Sequence, residues 1–216
     1  MRLRNNPKAN EILEDHKDFV ILDTLEKKGK WREYFNNDQP IYIEIGMGKG
    51  DFIIENAKRY PKINFIGIEK FPTVMLGAVK KIDDEGIVLP NLRLMKEDAS
   101  NLMEVFDENE IDGIYLNFSD PWPKKKHAKR RLTSENFLPI YKNILKDEGQ
   151  LILKTDNRIL FEYSLISFQQ FGMNFIDVCL DLHNSDGYED NIQTEYERKF
   201  SPFGPIYRIV TTFKGE

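Results

Sequence analysis

The stretch Ile41–Gly50, IYIEIGMGKG, running at once into DFIIENAKR over Asp51–Arg59, decides the fold. An apolar β-rich run, three glycines at alternate positions and a segment of helical period spell strand, tight turn and helix. Glycines at such a turn allow positive φ and let backbone approach a ligand with no Cβ in the way. The helix start offers free N–H groups beside that opening.

The same alternation continues outward. Further strands are predicted over Ile63–Glu69, Leu92–Lys96, Ile111–Phe118 and Gln150–Thr155. Helical periods fall over Thr73–Asp84, Ser100–Asn109, Ser134–Lys146 and Ile159–Phe171. Short apolar strands separated by helices imply an α/β chain with a parallel sheet covered on both faces. Met173–Leu182 and Ile206–Phe213 read as two last strands in a hairpin-like pair, with a polar, turn-rich insert between them. The pattern has no repeat, low-complexity tract or linker, so a single domain over residues 1–216 is expected. A short helical extension, about 1–38, would precede the sheet, with a helix near Asn10–Asp18.

The 216 residues suffice for one substantial core. No apolar run approaches the length of a membrane span, and the N-terminus has no apolar signal core. A lone cysteine, Cys179, excludes an internal disulfide. A cytoplasmic protein without membrane contact is expected, monomeric or homodimeric. Net charge is −5; without the six basic residues of Lys124–Arg131, 25 basic residues would face 36 acidic ones, a balance of −11. One basic patch on an acidic body suggests local docking of an anion such as RNA rather than binding over the whole surface.

The glycine loop narrows the ligand. It lacks the GK[ST] ending of a phosphate-binding loop, and Gly46-x-Gly48-x-Gly50 is not the dinucleotide spacing G-x-G-x-x-G. Glu69 ends the next strand, where a carboxylate binds ribose hydroxyls in a βαβ nucleotide fold. Glu44, just before the glycines, suits a cation better than a pyrophosphate. S-adenosyl-L-methionine carries ribose, adenine, an ammonium and a sulfonium without phosphate, and fits this set. Asp98-Ala99 at the third strand's end would reach the adenine amino group. Asn117, ending the fourth strand, joins these cofactor-side candidates, and Asp120 falls beside the reactive end. The histidines His16, His127 and His183 are scattered and no metal-ligand spacing occurs, so no metal is expected.

The fourth strand runs into Asn117-Phe118-Ser119-Asp120-Pro121-Trp122-Pro123 and the basic run. Two prolines fix where a carboxylate and an indole point. A flat ring beside cations suits a base and its phosphates. Phe118-x-Asp120-Pro121-Trp122-x-Lys124-x-x-His127-x-Lys129-Arg130-Arg131 resembles the signature of the bacterial tRNA (guanine-N7-)-methyltransferases. Thr194-Glu195-Tyr196-Glu197-Arg198-Lys199-Phe200 resembles that family's C-terminal T-x-Y-E-x-x-F element, so the likeness runs from about residue 40 onward.

The resemblance implies a Rossmann-like class I methyltransferase fold, with a seven-stranded, mostly parallel sheet and an antiparallel last strand. It implies methylation of guanine N7 in the tRNA variable loop. Glu44, Glu69, Asp98 and Asp120 fall on the family's cofactor positions, and Asp120 also on its proposed catalytic one. Lys124, Asp156 and Thr194–Glu197 (Thr194, Glu195, Tyr196, Glu197) fall on its substrate-contacting positions.

Guanine N7 has an in-plane lone pair and no proton, so direct displacement needs alignment rather than a strong base. Asp120 would stabilise the positive charge developing on the purine; Asp156 and Glu197 would assist. Lys124, Lys129, Arg130 and Arg131 would neutralise phosphates, with His127 on phosphate or backbone. Two other classes compete. An amino-methyltransferase would put methyl on an exocyclic amine, and an RNA-binding module would bind tRNA without the methyl donor.

Overall fold

A computed structural model of the chain describes residues 5–213. Of the extension expected over about 1–38, residues 1–4 lie outside the described residues. The sheet comprises β1 (Val20–Ile21), β2 (Ile41–Ile45), β3 (Asn64–Ile68), β4 (Leu92–Met95), β5 (Ile111–Asn117), β6 (Leu145–Thr155), β7 (Asn174–Cys179) and β8 (Tyr207–Thr212). Their order is β1-β4-β3-β2-β5-β6-β8-β7. Pairing is parallel from β1 through β6, while β8 runs antiparallel between β6 and β7. The seven expected strands are all present. The eighth is two residues long and comes from the N-terminal extension.

Helices α1 (Ala9–Glu14), α2 (Trp31–Phe35), α3 (Asp51–Arg59), α4 (Pro72–Glu85), α5 (Leu102–Val105), α6 (Leu138–Ile144), α7 (Arg158–Phe171) and α8 (Glu195–Phe200) complete the chain. Two apolar clusters lie on the two sheet faces. One gathers Trp31, Phe106, Tyr141, Phe161 and Phe168 around β2, β5 and β6. The other gathers Leu13, Ile53, Phe65, Met75 and Ala78 under α1, α3 and α4. The N-terminal segment is thus built into the core rather than appended to it. Leu13 and Trp31 are wholly buried, and the Trp31 indole N–H donates to the Val105 carbonyl at 3.0 Å.

Two helices are shorter than their periodicity suggests. Over Ser100–Asn109 the chain makes a 3₁₀ turn and then a single α-turn. The Glu110 carboxylate accepts from the Asp107, Gly29 and Trp31 backbone N–H groups, drawing the segment into a loop against the extension. The helix expected over Ser134–Lys146 ends at Ile144, because Leu145 already pairs with Ile111 in the sheet. Among the described residues, no helix is long and apolar enough to cross a membrane.

Candidate active site

Strand β2 carries Glu44 to the sheet edge, where Gly46, Gly48 and Gly50 adopt φ of 77°, 61° and 77°. Their surroundings separate them. A Cβ on Gly46 or Gly48 would meet nothing within 4 Å, so both glycines face open space. A Cβ on Gly50 would lie 2.7 Å from the Ala78 Cβ. Gly50, expected to touch the cofactor, therefore serves the close packing of α3 on α4.

Glu44 is buried, and one carboxylate oxygen accepts from the Asn117 amide at 2.8 Å. The other Glu44 oxygen and the Asn117 carbonyl oxygen are buried without a partner. Burial pushes the Glu44 carboxyl up to about 8, against the opposing pull of Asn117 and of the Lys154 charge. Glu69 accepts from the backbone N–H groups of Gly48 (3.1 Å) and Phe71 (2.9 Å). Burial raises its pKa too, and those bonds oppose the rise.

Asp98 caps the 3₁₀ turn that includes Ala99, accepting from Ser100, and pairs with Lys70 at 2.5 Å. Partial burial would raise its pKa, but Lys70 and Ser100 hold the carboxyl below its usual range. Glu44, Gly46, Gly48, Asn117 and Phe118 line a cavity of 190 Å³ together with Thr194, Glu195 and Tyr196.

Beyond β5 the backbone is forced. Phe118 and Trp122 take φ of 51° and 42°, a region that bulky residues disfavour, and they flank Asp120 symmetrically. Asp120 is exposed, and its carboxylate has no hydrogen-bond or ion-pair partner among the described residues. The Trp122 indole packs edge-on to His127 at 5.6 Å and lies under the Arg130 guanidinium at 5.0 Å. Lys124, Lys125, Lys126, Lys129 and Arg130 are exposed, with Lys129 pairing to Glu135 at 3.1 Å. Arg131 departs from expectation: it is buried, and its guanidinium donates to the Pro121 and Trp122 carbonyls. Its guanidinium is turned inward, onto the backbone of the turn.

Helix α8 closes the cavity from the far end of the chain. Thr194 caps it, its hydroxyl accepting from Glu197 N–H at 2.9 Å, with Glu197 returning the contact. Glu195 pairs with Lys49 in the glycine loop at 3.1 Å, and Arg198 with Asp51 at 3.1 Å. Tyr196 contacts the Phe118 ring at 5.0 Å and donates to Asp156 at 3.0 Å.

Glu197 is the second departure. It is wholly buried, accepting from the Lys154 ammonium (2.6 Å), the Asn191 amide (2.7 Å) and the His183 ring (3.0 Å). Lys154 also donates to the Ile192 carbonyl and to Asn191, while burial lowers its pKa against the pull of Glu197. Glu197 is thus committed to holding α8 in place. Lys154 escaped sequence reading, although a lysine inside the apolar run LILKT was a signal for a buried charge.

A family model described as "Putative methyltransferase" matches residues 38–207. The tRNA (guanine-N(7)-)-methyltransferase of Geobacillus sp. (strain WCH70) is 54% identical over 209 residues, 96% of this chain and 94% of its own length. The chain belongs to the tRNA (guanine-N(7)-)-methyltransferase family. Its relative of the same name from Bacillus cytotoxicus is 51% identical over 217 residues, covering 100% of this chain and 99% of that one.

Solved structures carry the fold further. An antibiotic-related methyltransferase superposes with a TM-score of 0.64 at 19% identity, covering 85% of this chain and 93% of its own. The 16S rRNA methyltransferase KamB gives 0.64 at 12% identity, covering 87% and 94%. The family member described here therefore has the class I methyltransferase fold, extended by one short strand at its β4 edge.

Proposed function

We propose that this chain transfers a methyl group from S-adenosyl-L-methionine to N7 of a guanine in the variable loop of tRNA, by direct displacement, in the cytoplasm. Beyond family membership, one observation carries the reading. Helix α8 folds over the glycine loop, so Glu44, Phe118 and Tyr196 face a single cavity, with the unpartnered Asp120 two residues beyond Phe118 in the chain.

The residues fit the methyl donor. The two buried oxygens left without partners, on Glu44 and Asn117, are suited to its ammonium and polar groups. Gly46 and Gly48 leave room for backbone approach. Glu69 and Asp98, at the ends of neighbouring strands, would hold ribose and adenine. Bound there, S-adenosyl-L-methionine supplies an electrophilic methyl group on a sulfonium.

The chain's own task is then positioning. The guanine N7 lone pair needs no proton removed, and alignment of well-held reactants is worth ~7 kcal/mol or more. Asp120 supplies negative charge where the purine becomes positive, and its freedom from other partners leaves it available. Trp122 and the exposed lysines would receive base and phosphates.

The test is incubation of the purified protein with labelled S-adenosyl-L-methionine and unmodified tRNA, followed by nucleoside analysis. The reading requires 7-methylguanosine. Methyl on an exocyclic amine would move the chain to the amino-methyltransferases, and tight tRNA binding with no transfer would favour the RNA-binding module.

A further inference from the structure

The turn that holds Asp120 is unusual in being strained on both sides. Phe118 and Trp122 occupy the left-handed region at φ 51° and 42°, and neither has the freedom of glycine there. Such a conformation persists only where its surroundings impose it. On the Phe118 side the restraint is a backbone bond, Phe118 N–H to the Lys154 carbonyl at 2.8 Å. On the Trp122 side it is one side chain. The Arg131 Nε donates to the Pro121 carbonyl at 2.9 Å and Nη2 to the Trp122 carbonyl at 3.1 Å. The guanidinium lies over the Tyr163 ring of α7 at 4.2 Å and is 5% exposed.

The geometry points to Arg131 as a positioning residue for the methyl transfer, acting through the turn to set Asp120 and Trp122 rather than contacting RNA. The inference rests on the proposed tRNA methylation. The reasoning is steric and electronic. Two consecutive carbonyls can be held by one planar fork of N–H donors, which a lysine ammonium cannot reproduce. The fork is anchored on an aromatic face belonging to a rigid helix, so the turn is referred to the body of the fold. The neighbouring Lys129 and Arg130 are exposed and neither donates to the Pro121 or Trp122 carbonyl, Arg130 touching the turn only at the Trp122 ring, 5.0 Å away. Within one basic run the last cation is therefore structural in placement and the earlier ones face solvent.

The test compares Arg131→Met, Arg131→Lys and Arg131→Ala in the full chain, with two readouts. The first is kinetic. Both Arg131→Met and Arg131→Lys should lower kcat by about 10²-fold, the penalty of misplaced catalytic groups. The tRNA Kd should stay within about threefold, and the slope of log Kd against log salt should not change. Added guanidinium should restore part of the Arg131→Ala rate.

The second readout is acrylamide quenching of Trp122, since Trp31 is wholly buried and contributes little. Quenching should rise in Arg131→Met, and by less in Tyr163→Leu, which removes only the aromatic support. A salt slope shallower by about one, with Arg131→Lys behaving as wild type, would make Arg131 a phosphate ligand and overturn the inference. Unchanged quenching in both Arg131→Met and Tyr163→Leu would overturn it as well. Quenching requires no methyl transfer, so it judges the turn even if the wild-type chain were to leave tRNA unmethylated.

Discussion

Glu44 shows what a single buried carboxylate imposes. Its pKa stands near 8 against 4.5 for the ordinary group, mainly because burial disfavours the anion. Between those values the folded chain holds a proton that the unfolded chain has lost, so this group's contribution to stability falls as pH rises through the window. Glu44→Gln removes that contribution. The variant should therefore gain in melting temperature relative to wild type as pH is raised from about 5 to about 8.5, with Glu69 leaving a smaller residual slope of the same sign. Equal pH dependence in the two proteins would show that Glu44 titrates normally. Residue types at such positions were legible in sequence: Glu44 and Glu69 stand at strand ends beside the glycine loop, and Asp98 follows β4. Direction was less legible. Arg131 and Glu197 carry the same charges as their solvent-facing neighbours, and only packing decides that one grips carbonyls and the other accepts a lysine.

At the scale of elements, strands and long helices followed from periodicity, because burial of an alternating or a three-to-four pattern dictates them locally. Short helices gave way to tertiary pairing, as where Leu145 joins β5. Least legible was the seating of α8, whose Glu195 meets Lys49 across 146 residues of chain. The buried Lys154–Glu197 pair fixes that seat. Lys154→Met leaves Glu197 buried without its ammonium partner, held only by Asn191 and His183, which should cost about 3–5 kcal/mol and shift the urea midpoint accordingly. Lys154→Met with Glu197→Leu should recover most of that stability, while removal of the capping box leaves α8 poorly held and methyl donor affinity reduced. A single variant as stable as wild type would show that the pair does not anchor the helix. Calorimetric titration of the donor reads the second half of the prediction.

At the scale of the whole molecule, one run of the sequence, Lys124–Arg131, gathers six basic residues on a chain of net charge −5. An acidic body would repel RNA, and the exposed Lys124, Lys125, Lys126 and Arg130 are the cations proposed to receive it. Replacing Lys124, Lys125 and Lys126 together by alanine should weaken tRNA binding and flatten the dependence of log Kd on log salt by about 0.9 for each phosphate no longer neutralised. An unchanged slope in a binding titration would place the RNA elsewhere. On the proposed mechanism the class I fold, the glycine loop and the distant α8 element would align methyl donor and guanine, with no base needed.

The most direct measurement uses tRNA transcribed with 7-deazaguanosine in place of guanosine, so that N7 is replaced by carbon while the bases keep their Watson–Crick edges. With labelled S-adenosyl-L-methionine, this tRNA should compete with ordinary tRNA for binding yet accept no methyl group. Label transferred to it at the rate seen with ordinary tRNA would contradict attack by N7, and with it the role of Asp120.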